Sequence, residues 1–101
     1  MPDPARVVAP DTLARTLEYV NRLRVDAHFP PLDAMPDGEP GRPNSCPLYH
    51  ALHEVWPDMK FAVYIHCARL LTRINNASEY SVVREIPWPH YVSSFVMQFD
   101  G

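Results

Sequence analysis

The sequence predicts a small α+β protein, with helices and a short antiparallel sheet around one core. Two observations lead to this prediction. Apolar residues recur at helical spacing near both ends of the chain, and a stretch rich in β-branched and aromatic residues lies between them, within residues 60–86. The predicted order is helix, proline-rich loop, helix, antiparallel strands and helix. A chain of 101 residues fits one such domain, which we expect over residues 11–101, after a flexible lead-in over residues 1–10.

The first predicted helix covers residues 11–27, with Asp11 as its N-cap. Its apolar positions are three or four residues apart, which places them on one helix face, and charged residues line the opposite face. Glu18 and Arg22 stand four residues apart, in the order that favours an ion pair. The apolar face contains Leu13, Leu17, Val20, Leu23 and Ala27.

The next segment, HFPPLDAMPDGEPGRPNSCP, contains six prolines and two glycines, which exclude a regular helix and a central strand. We therefore predict a proline-rich loop over residues 28–46. Its apolar residues Phe29, Leu32 and Met35 are expected to pack it on the domain. The same composition is typical of a polyproline II ligand for another domain, and the sequence leaves this alternative open.

A second helix is predicted over residues 47–56, within the stretch NSCPLYHALHEVW. Pro47 suits the first turn of a helix, Pro57 ends it, and a residue among 44–46 can cap it. A helical wheel places the apolar residues on a core face, which contains Leu48, Ala51, Leu52 and Val55. The opposite side, expected to face solvent, gathers three chemically reactive residues, Cys46, His50 and His53.

These three residues raise the question of a metal or catalytic site. Cys46 and His53 would lie about 10 Å apart along a helix, and the sequence has no C-x₂-C pair to anchor a structural zinc. We therefore predict no metal and no cofactor. A thiol nucleophile at Cys46 with His50 as its base is the best enzyme hypothesis. No third residue orients that pair, so we predict no catalytic residues and no enzyme.

Three strands are predicted between residues 60 and 86, as KFAVYIHC, RLLTRI and YSVVREI. The segment NNASE supplies the turn between the second and third strands, which gives a small antiparallel sheet. The competing prediction is one helix over residues 58–73, whose apolar residues also share a helical face. We prefer the sheet because Val63, Tyr64 and Ile65 are adjacent strand formers.

The last predicted helix follows Pro87 and Pro89, because proline suits the first turn of a helix. Its apolar residues fall at positions i, i+3, i+4 and i+7, which is the spacing of a core-facing stripe rather than of a cofactor site. This stripe contains Val92, Phe95, Val96 and Phe99.

Composition and charge argue against several classes of function. The formal net charge is −3, Lys60 is the single lysine and the eight arginines are dispersed, so the clustered positive charge that nucleic acid requires is missing. No phosphate-binding loop or hydrolase motif is present. No apolar run could span a membrane, and no signal peptide is indicated, so we expect a cytoplasmic protein with Cys46 and Cys67 as free thiols.

Two blocks of the sequence, residues 21–52 and 85–101, resemble small uncharacterised proteins of actinobacterial phages and their hosts. The blocks cover roughly half of the chain. The resemblance is carried by four motifs: Pro-Pro-Leu-Asp at 30–33, Pro-x-Gly-x-Pro-Gly at 36–41, Cys-Pro at 46–47 and Phe-Val-x-x-Phe-Asp at 95–100. These are structural motifs, so the resemblance implies a fold and a phage-related origin without an activity.

We expect a small protein-binding module, acting as a phage-encoded modulator of a host process, whose partner is a host or phage protein. The predicted contact residues are Trp56, Trp88 and Tyr91, which lie beside prolines or at helix ends, where side chains often stay partly exposed. Tryptophan and tyrosine dominate binding hot spots because they bury large rigid surfaces. A domain this small has a modest core, so association with a second copy is also open.

Two other classes of function remain as alternatives. A DNA-binding regulator would use the arginines of the first helix, Arg15, Arg22 and Arg24, although acidic residues on the same helix offset them. A thiol or metal-dependent enzyme would use Cys46 and His50.

Overall fold

The computed structural model describes residues 3–74 and 79–101, with the backbone alone at Arg73. It contains the helices α1 (Pro4–Val7), α2 (Pro10–Asp26), α3 (Pro47–Leu52) and α4 (His90–Asp100), and a 3₁₀ turn at His53–Val55. The strands are β1 (Lys60–Val63), β2 (Cys67–Arg73) and β3 (Tyr80–Pro87). The predicted α+β class is therefore confirmed. Within the described residues, no helix is long and apolar enough to cross a membrane.

The prolines of residues 1–10 also led us to expect an extended segment, but Pro4–Val7 form the short helix α1. The Asp3 carboxylate caps this helix by accepting a hydrogen bond of 3.0 Å from the backbone N–H of Ala5. Val8 then enters the core, where it is buried. The expectation failed because one turn of helix is too short to show apolar periodicity.

Helix α2 begins at Pro10, one residue earlier than predicted, and Ala9 is its N-cap. The predicted N-cap, Asp11, lies instead in the first turn, where its charge suits the positive end of the helix dipole. The helix ends at Asp26. His28 follows with a φ of 66°, a left-handed conformation that reverses the chain into the proline-rich loop.

The proline-rich loop is packed on the domain, as the sequence predicts. The Asn21 side chain imitates a strand partner: its Nδ2 donates to the Leu32 carbonyl at 2.9 Å, and its Oδ1 accepts from the Leu32 N–H at 2.8 Å. Met35 is buried in the core cluster. A Cβ at Gly38 would lie 2.5 Å from Cδ of Pro47, so only glycine fits where the loop passes the start of α3.

The three strands form one antiparallel sheet in the order β1-β2-β3. Phe61 pairs with Leu70, and a β-bulge between Leu70 and Leu71 leaves Val83 of β3 as an extra residue. The preferred sheet is therefore correct and the alternative single helix over residues 58–73 is wrong. The predicted turn at NNASE lies mostly outside the described residues, which omit positions 75–78.

The first strand is shorter than predicted. The strand-forming run continues to Cys67 in sequence, but β1 ends at Val63, and the chain turns where the Tyr64 N–H donates to the Cys67 carbonyl at 2.8 Å. Cys67 thus begins β2. Propensity alone could not place this turn, because its residues include β-branched and aromatic types rather than glycine or proline.

The helices cover one face of the sheet. The apolar residues on the helix-facing side of the strands are buried, and so is the whole predicted stripe of α4. The buried strand residues of this face are Phe61, Val63, Ala68, Leu70 and Ile86, and the α4 residues are Val92, Phe95, Val96 and Phe99.

Arg24 is a buried cation at the centre of this arrangement, with only 4% of its surface exposed. Its Nε donates to the Pro30 carbonyl at 2.9 Å, and its Nη1 donates to the Ala51 carbonyl at 2.8 Å and pairs with the Glu54 carboxylate. The guanidinium also lies 5.7 Å from the centre of the Phe29 ring. Arg24 thus joins α2, the proline-rich loop and the end of α3.

We expect Arg24→Ala to lower the free energy of unfolding by about 2 to 5 kcal/mol, because it leaves two carbonyl acceptors unpaired. Arg22→Ala is the matched control on the same helix. Its pair with Glu18 is 3.6 Å long and exposed on both sides, so the loss should stay below about 0.5 kcal/mol. Urea denaturation of both variants measures the difference, and equal losses would contradict the structural role of Arg24.

We also expect Phe95→Ala to lower the free energy of unfolding by about 3 to 5 kcal/mol, since the side chain is fully buried and leaves a cavity. Leu52→Ala, at a fully buried position of α3, should cost about 2 to 5 kcal/mol. Met97, on the same helix as Phe95 but 46% exposed, supplies the control, and Met97→Ala should stay within about 0.5 kcal/mol of the parent.

Candidate functional site

The structure brings together two of the three predicted contact residues. Trp88 and Tyr91 lie at the start of α4, where both contact Tyr19 of α2. Trp56 lies apart from them, stacked on Phe61 with 5.3 Å between the ring centres. The candidate surface is therefore built at the junction of α2 and α4, and Trp56 belongs to a separate region.

Trp88 is buried, with 8% of its surface exposed, which corrects the expectation that it stays partly exposed. Both of its N–H groups are held by the turn between β1 and β2. The backbone N–H donates to the His66 carbonyl at 2.9 Å, and the indole Nε1–H donates to the Tyr64 carbonyl at 3.0 Å. This turn could not be located from propensity, so its capture of the indole could not be predicted. Trp88 is therefore a fixed, buried side chain against which Tyr19 packs.

Tyr19 packs on Trp88 and on a second tyrosine, Tyr91. Tyr19 meets Trp88 edge to face, with ring centres 6.0 Å apart, and meets Tyr91 in the same way at 6.4 Å. Both tyrosines are half-buried. Tyr19 was missed in the sequence, where its only signal is an aromatic residue immediately before the core position Val20.

One arginine contacts Tyr91, and the charges of two others act on Tyr19. The Arg15 guanidinium lies 4.5 Å from the centre of the Tyr91 ring, a distance that gives a cation–π contact. Arg22 of α2 and Arg84 of β3 are close enough for their positive charges to act on the Tyr19 hydroxyl. We call Arg15, Tyr19, Arg22, Arg84 and Tyr91 the tyrosine–arginine surface.

The Tyr19 hydroxyl stays protonated in this environment. Burial raises its pKa, and the nearby Tyr91 phenol acts in the same direction. The charges of Arg22 and Arg84 lower the pKa, but they do not reverse the shift. Tyr19 therefore presents a neutral hydroxyl, which can donate and accept hydrogen bonds.

The tyrosine–arginine surface carries an excess of positive charge, although the whole chain has a formal net charge of −3. Arg22 is paired with Glu18 at 3.6 Å, in a contact exposed on both sides. Among residues 3–74 and 79–101, no carboxylate forms an ion pair with Arg15 or Arg84. Two cations of this surface are thus free to meet an anion from outside.

The helical wheel had placed Cys46 on the solvent-facing side of the helix. In the structure Cys46 is buried, with 3% of its surface exposed. It is the N-cap of α3, with an extended backbone, and so lies outside the helical geometry on which the wheel depends. His50 is half-buried, and only His53 is exposed, with its ring stacked on Tyr49 at 4.9 Å. The three residues do not share one solvent-facing side.

The environment of Cys46 opposes use of its thiol as a nucleophile. Burial raises the pKa of Cys46 to about 11, whereas two N–H groups at the start of α3 lower it only in part. The nucleophilic form is the thiolate, and a raised pKa depletes it at neutral pH.

Both cysteines, Cys46 and Cys67, are free thiols, as predicted. In the part of the chain that the structure describes, no three histidine, cysteine, aspartate or glutamate residues cluster as metal ligands would.

No family model, no curated protein and no solved structure significantly matches this chain. The geometry of the surface therefore has to support a function by itself.

We expect Cys46 to resist alkylation in the folded protein, because it is buried and its thiol holds its proton to about pH 11. Cys67→Ser leaves Cys46 as the only thiol, which makes the assay unambiguous. Treated with iodoacetamide at mildly alkaline pH, this variant should gain the adduct only after urea is added, as mass spectrometry would show. Rapid labelling of the folded variant would contradict the buried position.

Proposed function

We propose that this protein is a small protein-binding module and that its contact surface is the tyrosine–arginine surface. The observation that carries the proposal is a pair of half-buried tyrosines in mutual contact, one of them packed on the buried Trp88. Arg15 lies over the Tyr91 ring, the charge of Arg84 acts on the Tyr19 hydroxyl, and neither arginine has a carboxylate partner within residues 3–74 and 79–101. Tyrosine, tryptophan and arginine are the residues most enriched in binding hot spots.

The rigidity of the surface supports this proposal. Association has an entropic cost for every side chain that becomes ordered, so groups ordered beforehand favour binding. The Tyr19 ring packs edge to face on Tyr91 and on Trp88, and Trp88 is fixed by two hydrogen bonds. Arg15 is already stacked on Tyr91. Little ordering is left for the moment of binding.

The resemblance to proteins of actinobacterial phages makes the partner, within this proposal, a host or phage protein, and the function the modulation of a host process. DNA is less well supported, because Arg24, one of the three arginines of that alternative, is buried and bonded within the domain. Trp56 is half-buried in a separate region, so its part in binding stays a prediction of its own.

We expect Tyr91→Ala and Arg84→Ala each to weaken partner binding tenfold or more, which corresponds to about 1.4 kcal/mol. The partner is first identified by affinity capture from host lysate with mass spectrometry, and its Kd is then measured by calorimetry for each variant. Tyr64→Ala is the matched control: Tyr64 is 40% exposed, and its ring contacts Arg69 instead of the tyrosine–arginine surface. Trp56→Ala is measured in parallel.

Circular dichroism and thermal melting establish that the variants remain folded. Tyr91→Ala and Arg84→Ala proteins that are folded and bind the partner as well as the parent would overturn the proposal. Loss of binding in Trp56→Ala alone would move the contact surface to the region around Phe61.

A further inference from the structure

The two edges of the sheet differ in how they are covered. The proline-rich loop meets the outer edge of β1 at its last residue, where the Val63 N–H donates to the Pro43 carbonyl at 2.8 Å. β3 forms the other edge. Within residues 3–74 and 79–101, no other element than β2 pairs with Ser81–Glu85, and all five of these residues are exposed. The outer edge of β3 therefore offers unpaired backbone groups to solvent.

This open edge borders the tyrosine–arginine surface. Arg84 stands opposite Leu70, whose side chain is buried beneath the helices, and cross-strand partners point to the same face of a sheet. Arg84 thus lies on the helix-facing side of β3, and its charge acts on the Tyr19 hydroxyl. A strand laid along this edge would pass directly beside the surface.

We propose that the partner binds by adding an extended strand to the outer edge of β3, with carboxylate side chains on the side that faces the helices. This inference rests on the proposed function and specifies how the partner is recognised. Main-chain hydrogen bonds to an exposed edge provide affinity in this mode of binding, and alternate side chains provide specificity.

Charge complementarity selects the acidic side chains. Every second side chain of an added strand would point toward the helix-facing side. There it would meet Arg84, which has no carboxylate partner among the described residues. On the opposite face Val82 is 47% exposed and would be covered by apolar or β-branched side chains.

A second copy of this chain does not offer the required charges. On the helix-facing side, the described part of β3 presents Ser81, Arg84 and Ile86 and no acid. Glu85 pairs with Arg69 on the opposite face, where the two side chains approach to 4.0 Å. Two antiparallel copies of β3 would therefore bring arginines toward arginines, which is unfavourable.

The test uses a capped peptide of alternating glutamate and valine residues and a matched peptide with lysine in place of glutamate. Such a peptide can shift by one residue, so it can always place its charged side chains toward the helices. We expect the glutamate peptide to bind at least tenfold more tightly than the lysine peptide and to slow hydrogen exchange of amides within Ser81–Glu85, as followed by NMR. Arg84→Glu should reverse the preference, whereas Arg69→Glu, on the opposite face, should not.

Equal binding of the two peptides, or an unchanged preference in a folded Arg84→Glu protein, would overturn the inference. Shifts of the Tyr19 and Tyr91 signals without protection of the β3 amides would also overturn it, while leaving the tyrosine–arginine surface as a binding site. Protection of β3 that rises with protein concentration in the absence of peptide would assign the edge to a second copy instead. The proposed function fails separately, through the partner-binding measurements on Tyr91→Ala.

Discussion

The fold depends on a single buried guanidinium. Arg24 donates hydrogen bonds to the Pro30 carbonyl and the Ala51 carbonyl and pairs with the Glu54 carboxylate. These contacts fix where α2 ends relative to α3. A buried cation is tolerated only when its donors are paired, so these segments have to meet in one arrangement. Because α3 packs against β1 and α2 also packs along α4, these contacts together place α2 relative to the sheet. Tyr19, on the same helix, is thereby brought to Trp88.

The tyrosine–arginine surface contains aromatic rings that have little freedom left. Trp88 is held by the turn between β1 and β2, through its backbone N–H and its indole N–H, and Tyr19 packs on both Trp88 and Tyr91. A site of this kind depends on helices and strands rather than on a loop, which favours a precise shape over an adaptable one. Arg15 and Arg84 add positive charge to it, and neither forms an ion pair with a carboxylate in the part of the chain that the structure describes.

Local pattern was enough to predict α2, α3, α4 and the presence of a sheet, because periodicity and propensity are properties of neighbouring residues. The α4 stripe with Phe95 is an example. Local pattern was not enough where the burial of a residue depends on groups that are distant in the sequence. Arg24 looks like any exposed helix arginine, since its acceptors lie 6 and 27 residues away or more. Cys46 was misplaced because an N-cap does not follow the helical wheel, and of the candidate surface only Trp88 and Tyr91 were visible as aromatic residues beside prolines.

The hydrogen bond between Val63 and Pro43 makes the two edges of the sheet unequal. The proline-rich loop meets the end of β1 and obstructs a strand that would join there, whereas the described part of β3 has no such contact. Head-to-tail stacking of sheets propagates into fibres when each copy presents two open edges. The contact between the loop and β1 therefore opposes linear polymerisation of a protein whose other β-edge is open.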